Sequence, residues 1–127
     1  MKVFIASDHA GFAKKQELAS GLEKDFEIHD MGPYKLDPDD DYPLYAKKLA
    51  LAVKENLGSM GILLCASGEG MAIAANKVDG IRAATVANVA AAKHTRRDND
   101  SNVLSLAAGD LSNRELKEIS LAWLKDR

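Results

Sequence analysis

The segment Cys65-Ala66-Ser67-Gly68-Glu69-Gly70 holds the residue types and spacing best suited to chemistry. Its glycines let backbone N–H groups approach a ligand closely, and a helix starting just after them adds a positive dipole end. Such a turn can hold a phosphate or the oxyanion of a reaction intermediate. Cys65 enters the turn from an apolar run, and a sulfur beside a helix N-terminus is favoured as thiolate. A thiolate there can abstract a proton next to a carbonyl while the N–H groups hold the developing charge. The same residues also describe a plain strand-to-helix turn with an inert, buried cysteine, and spacing alone leaves both open. A dinucleotide fingerprint is excluded, because its third glycine falls on Ile73. A P-loop is excluded too, since no Gly-Lys-Ser/Thr follows.

A second candidate is Asp8-His9, directly after the apolar run Val3 to Ala6. Loop residues at that edge face the ligand crevice of an α/β sheet, although Ser7 or Asp8 could equally cap the next helix. His94 and Asp98 stand four apart on one expected helix face, where a surface pair is the default. His29 follows a weak strand and carries no assignment. Three histidines and one cysteine in no ligand spacing argue against zinc. The acidic run Asp37 to Asp41 reads as solvated loop, lacking the glycine and terminal glutamate of a calcium loop.

Short apolar runs alternating with amphipathic stretches must position these groups. Val3–Ala6, Phe26–Ile28, Gly61–Cys65, Ile81–Val86 and Val103–Leu106 are the expected strands, with Gly61–Cys65 apolar throughout, as a strand covered on both faces would be. Between them lie helices expected over Gly11–Lys24, around Tyr45, Leu49, Ala52 and Val53, over Met71–Asn76, and over Asn88–Arg97. A final helix starts at the capping box Ser112/Glu115, with Leu116, Ile119, Trp123 and Leu124 inward. Asp30 to Pro43 reads as loop. Strands alternating with helices imply α/β: a five-stranded parallel sheet in a Rossmann-like three-layer sandwich, one domain over 1–127. Ligands then bind at the carboxyl ends of the strands, where Asp8, Cys65 and the segment near Asn99 all fall.

Composition narrows the function classes. Seventeen Lys+Arg against nineteen Asp+Glu give a net charge of −2, with no basic excess for nucleic acid. No apolar run approaches the roughly 18 residues that cross a bilayer. The start is too quickly polar for a signal peptide. One cysteine allows no internal disulfide and fits a reducing, cytoplasmic setting.

Five linked motifs carry a resemblance: Ser7-Asp8-His9-Ala10-Gly11, Asp41-Tyr42-Pro43, Gly61 to Cys65 with its glycine turn, Ala74-Ala75-Asn76-Lys77-Val78 with Gly80-Ile81-Arg82-Ala83, and Asn99-Asp100-Ser101-Asn102-Val103. Together, in order from residue 1 to about 107, they resemble the ribose-5-phosphate isomerase B family, which includes the galactose-6-phosphate isomerase subunits. The resemblance implies metal-independent, cofactor-free aldose–ketose isomerisation of a sugar phosphate through an enediolate. It also implies dimers or tetramers with active sites between subunits. By position, Cys65 is the residue that moves the proton. Ser67, with the N–H groups of Ala66, Gly68, Glu69 and Gly70, is the anion hole. Asp8 and His9 contact the sugar, and Asn99 reaches the substrate from the neighbouring subunit.

The chain departs from that pattern in three places. Asp98 stands where the family has a ring-opening histidine, and His94 is one turn back. Gly109 stands where the family often has an arginine on the phosphate. The family's arginine-bearing tail has no counterpart before Arg127. The nearest cations, Arg96 and Arg97, are expected on an exposed helix face. Three readings follow. The first is a homo-oligomeric isomerase of ribose 5-phosphate or a related sugar phosphate. The second is the cysteine-bearing subunit of a mixed, galactose-6-phosphate-type oligomer, completed by a paralogous partner. The third is a sugar-phosphate-binding protein with little turnover.

Overall fold

A computed structural model of the chain describes residues 1–36 and 41–126. Most of the acidic Asp37–Asp41 run therefore lies outside the described residues. The strands are β1 Lys2–Ser7, β2 Glu27–Asp30, β3 Met60–Cys65, β4 Ala83–Val86 and β5 Val103–Ala107. The helices are α1 Phe12–Leu22, α2 Tyr42–Glu55, α3 Glu69–Ala75, α4 Val89–Asn99 and α5 Asn113–Lys125. All pairings are parallel, in the order β2-β1-β3-β5-β4. The expected α/β class and five-stranded parallel sheet are what the chain forms.

The apolar pattern divides between the two faces of this sheet. Val3, Ile5, Ile62, Leu64, Leu104 and Leu106 pack with Leu18 and Leu22 of α1 and Leu116, Ile119 and Trp123 of α5. The alternate residues Phe4, Ala6, Leu63, Cys65 and Val103 pack with Leu49 and Val53 of α2 and Met71 and Ala75 of α3. Because side chains alternate across a strand, covering both faces makes every residue of β3 buried.

Element ends shifted from expectation for local reasons. β2 runs on through His29 to Asp30, so His29 is a strand residue facing Glu27 and not a loop residue. β4 begins at Ala83, because Gly80 takes a left-handed φ of 87° and Arg82 N–H is drawn aside onto Asn102 Oδ1 at 2.8 Å. α1 buries Lys15 completely on the same face as Leu18 and Leu22, while Phe12 is only half-buried. Lys15 Nζ is held there by Asp30 Oδ1 at 2.8 Å and by the Pro33 carbonyl at 2.5 Å. A buried ammonium is tolerated when it is paired and hydrogen-bonded in this way.

The strand order sets the position of the functional crevice. From β1 the chain moves outward to β2, then crosses back to place β3 on the other side of β1. At that reversal, helices leaving the two strands diverge to opposite faces and open a cleft at their carboxyl ends.

Candidate functional site

Asp8 and Cys65 leave these two strands side by side. Ser7 pairs with Leu64, and Asp8 N–H extends the ladder onto the Leu64 carbonyl at 3.1 Å. Asp8 then bridges the cleft. Its Oδ1 accepts the Gly11 N–H at 2.8 Å, closing the turn into α1, while Oδ2 accepts the Ala66 N–H at 3.3 Å. Asp8 does not cap α1, whose N-cap is Gly11 with no side-chain bond; its carboxylate ties the turn before that helix to the residue after β3. Gly11 is needed for the close approach, since a Cβ there would lie 2.7 Å from the Leu64 carbonyl oxygen.

Beyond Cys65 the chain turns tightly. Gly68 adopts a left-handed φ of 83°, a conformation costly for residues with a Cβ. That turn folds the Gly68 N–H back onto Cys65 Sγ at 3.1 Å. Glu69 N–H reaches Ser67 Oγ at 3.3 Å, so the Ser67 hydroxyl proton is free to point at a third group. Three N–H groups of the expected anion hole, those of Ala66, Gly68 and Glu69, thus have acceptors within the chain. The first and last bonds, both 3.3 Å, are long enough to be shared with an incoming oxygen.

The pocket formed here has a volume of about 210 Å³ and is lined by Asp8, Tyr42, Cys65, Ala66, Ser67 and Gly70. Its size suits a group of several heavy atoms. Cys65 itself is 5% exposed, on the α2/α3 side of the sheet. The pocket brings together Asp8 with Cys65, Ala66, Ser67 and Gly70. Gly68 and Glu69 complete the turn from behind, and His9 is exposed next to Asp8. Tyr42, at the start of α2 and in the Asp41-Tyr42-Pro43 motif, lines the pocket as well. Its ring packs against Gly70, and the Asp-Tyr-Pro start of a helix facing the glycine turn was the available signal.

Asn99 is elsewhere. With His94, Thr85 and Thr95 it lines a groove between β4 and α4. His94 Nδ1 and Asp98 Oδ2 form a 3.0 Å pair that is 70% and 59% exposed, the surface pair the helical spacing suggested. Arg96, expected on an exposed face, is only 20% exposed. It is committed to Asp100 at 3.0 Å and to the Ser101 carbonyl at 2.6 Å, because the chain doubles back at Asp100, whose φ is 50°. Arg97 does face outward and pairs with Asp126. At the position of the family's arginine, Gly109 N–H binds the Ala66 carbonyl at 3.2 Å. Among the described residues no three His, Cys, Asp or Glu gather as a metal site, and no helix is long and apolar enough to cross a membrane.

Residues 3–127 match the family model described as Ribose/Galactose Isomerase. The chain is 44% identical over 107 residues to the probable ribose-5-phosphate isomerase B of Mycoplasma pneumoniae, covering 84% of this chain and 70% of that protein. It is 39% identical to the ribose-5-phosphate isomerase B of Escherichia coli, over 97% of this chain and 83% of that one. Among solved structures, the Mycoplasma genitalium ribose-5-phosphate isomerase B with bound ribulose 5-phosphate superposes with a TM-score of 0.95 at 38% identity, covering 99% of this chain and 84% of that one. The Clostridium thermocellum enzyme gives 0.94 at 40%, covering 100% and 86%. The strand order, the cysteine-bearing turn at the β1/β3 reversal and these matches have one explanation: the chain belongs to the ribose/galactose isomerase family.

Proposed function

We propose that this chain interconverts ribose 5-phosphate and ribulose 5-phosphate, with Cys65 as the base. The observation that carries the reading is Cys65 Sγ at the β1/β3 reversal, receiving the Gly68 N–H at 3.1 Å beside an Asp8-lined pocket. On the open-chain aldose, the Cys65 thiolate takes the C2 proton. The C2–H electron pair forms the C1–C2 double bond, and the carbonyl pair moves onto O1. Ser67 and the N–H groups of the turn hold the resulting enediolate. Return of the proton to C1, with passage of the O2 hydroxyl proton to O1, gives the ketose. Asp8 and His9 hold the sugar hydroxyls, and Asn99 contributes from a second subunit, which its separation from the Cys65 pocket supports. No metal or cofactor takes part in these steps. We place the enzyme in the cytoplasm, as a homodimer or tetramer.

A mixed oligomer is the second reading. It is favoured by the commitment of Arg96 and Arg97 to carboxylates of their own chain, which leaves the phosphate to other cations. Exchange of the substrate C2 proton with solvent deuterium, followed by NMR on ribose 5-phosphate, tests both. Exchange with ketose formation by the purified chain, lost in Cys65→Ala, supports the homo-oligomeric isomerase. No exchange until a paralogous subunit is added supports the mixed one. No exchange in either, with ligand-induced stabilisation intact, leaves a binding protein.

A further inference from the structure

Two hydroxyls that the chemistry above does not use converge on one carbonyl behind the glycine turn. Thr85 Oγ1, from edge strand β4, donates to the Gly68 carbonyl at 3.1 Å. Ser105 Oγ, from β5, donates to the same oxygen. Ser105 is fully buried, the polar exception in a strand otherwise made of Val103, Leu104, Leu106 and Ala107. A small hydroxyl in such a place is retained with its bond satisfied or costs stability.

The consequence lies on the opposite side of the peptide. In a trans peptide the C=O and N–H point in opposite directions. Fixing the Gly68 carbonyl into the sheet therefore aims the Glu69 N–H outward, where it meets Ser67 Oγ at 3.3 Å. With that oxygen accepting, the Ser67 proton is directed onward. Gly68 is also the residue at which this peptide could turn over. At φ 83° a glycine tolerates either orientation of the following peptide, since it lacks the Cβ that restricts other residues. Reversal would exchange the N–H that reaches Ser67 Oγ for a carbonyl oxygen, replacing attraction for an oxygen by repulsion. Backbone permissiveness at Gly68 is thus offset by side chains on two neighbouring strands.

We propose that Thr85 and Ser105 are positioning residues for the anion cradle, holding the Gly68–Glu69 peptide with its N–H toward the reacting oxygen. This rests on the isomerase reading of the same pocket. It assigns the two hydroxyls an effect on turnover through Glu69 and Ser67, with no contact to substrate.

The test compares Thr85→Val, Thr85→Ser, Ser105→Ala and the Thr85→Val/Ser105→Ala double variant. The readouts are steady-state kinetics on ribose 5-phosphate, iodoacetamide alkylation of the single cysteine at pH 7, and thermal unfolding. Either single loss leaves one donor and lowers kcat about five-fold. The double loss lowers it on the order of 30-fold, with KM within about two-fold of wild type. Alkylation in the double variant slows about three-fold, because Gly68, no longer anchored through its carbonyl, rotates as a residue and draws its N–H off the sulfur. Thr85→Ser keeps the hydroxyl and retains wild-type kcat. Lowered melting temperatures with kcat and alkylation within two-fold of wild type would overturn the proposal, leaving the hydroxyls purely structural. Equal losses in Thr85→Ser and Thr85→Val would overturn it as well. A wild-type chain without turnover, whose alkylation still responds to the double substitution, would sink the ribose 5-phosphate reading and leave the positioning role standing.

Discussion

The Cys65 pocket, at the carboxyl ends of β1 and β3, and the groove along edge strand β4 and α4 belong to one sheet, yet they are built by opposite means. At Cys65 the geometry is fixed by backbone. Asp8 ties together two strand ends, Gly68 returns its N–H to the sulfur, and hydroxyls from β4 and β5 hold the turn from beneath. In the groove the chemistry-bearing groups are exposed side chains. His94 and Asp98 hold each other in water, and Asn99 ends the helix without entering the cysteine's pocket. An over-determined backbone can pre-organise a base and an oxyanion site within one chain. Solvated side chains at a helix end cannot do so until another surface excludes water from them. On the proposed reading, the difference separates proton transfer, positioned within one chain, from ring opening and substrate closure, which call for a second surface.

Removing the sulfur is the sharpest way to break that contrast. Cys65→Ala should lower the C2 exchange rate on the order of a thousand-fold, within the range of a positioned acid–base group, while leaving the fold intact. Residual turnover within ten-fold of wild type, measured by deuterium exchange, would move the base elsewhere. Next in size is Gly68→Ala. The new Cβ would lie 3.0 Å from Thr85 Cγ2 and 3.2 Å from the Ala107 nitrogen, at a φ of 83°. The strain should cost about 1–3 kcal/mol of stability. Misplacing the cradle should lower kcat by on the order of a hundred-fold. Urea unfolding and kinetics together check it, and an active, equally stable variant would show that the backbone is less determined than argued.

The groove predicts the reverse pattern. Asp98→His restores an imidazole where the family keeps one and should raise turnover of the cyclic sugar by about ten-fold. Deuterium exchange from the open-chain aldehyde should not change. His94→Gln should shift stability by less than about 0.5 kcal/mol, because an exposed pair is worth little. If Asp98→His accelerates the open-chain reaction equally, the two regions are one catalytic unit and the contrast fails.

What could be read in the sequence follows the same division. Strand β3 and the glycine turn were legible because a continuous apolar run ending in Cys65-Ala66-Ser67-Gly68 has few other solutions in a parallel sheet. Asp8 was legible as a crevice residue for the same positional reason. Its bond to Ala66, 58 residues away, was not, since pattern along a chain says nothing of which strand end lies beside which. Lys15 was missed because helical spacing counts apolar residues. Its ammonium is buried by a carboxylate and a carbonyl that arrive from the β2 end. Ser105 offered a faint signal, one hydroxyl in an apolar strand, but its partner Gly68 is 37 residues distant. Arg96 was misplaced on the surface because the left-handed Asp100 that brings Ser101 back against it is a conformation few non-glycine residues adopt. Periodicity reports burial and local geometry, whereas buried polar pairs are settled by tertiary neighbours.

The smallest expected effect comes from a third place, the start of α5, and it calibrates the other two. Ser112 Oγ accepts the Glu115 N–H at 3.1 Å, and Glu115 Oε1 accepts the Ser112 N–H at 3.0 Å. The backbone N–H of Ser112, followed by its side chain, holds the Glu115 carboxyl below its ordinary value of 4.5. A carboxylate with a depressed folded-state pKa contributes stability that is present above the unfolded value and lost as pH falls through the folded one. Ser112→Ala should cost about 1 kcal/mol at neutral pH and leave kcat per folded molecule unchanged. The stability gap between wild type and Glu115→Gln should be constant above pH 4.5 and close as the pH is lowered further. Chemical unfolding at a series of pH values measures both. A gap that widened on acidification would reverse the sign of the capping interaction. A loss of turnover in Ser112→Ala would mean that general destabilisation reaches the cradle, so that activity losses in Gly68→Ala could no longer be ascribed to the turn itself.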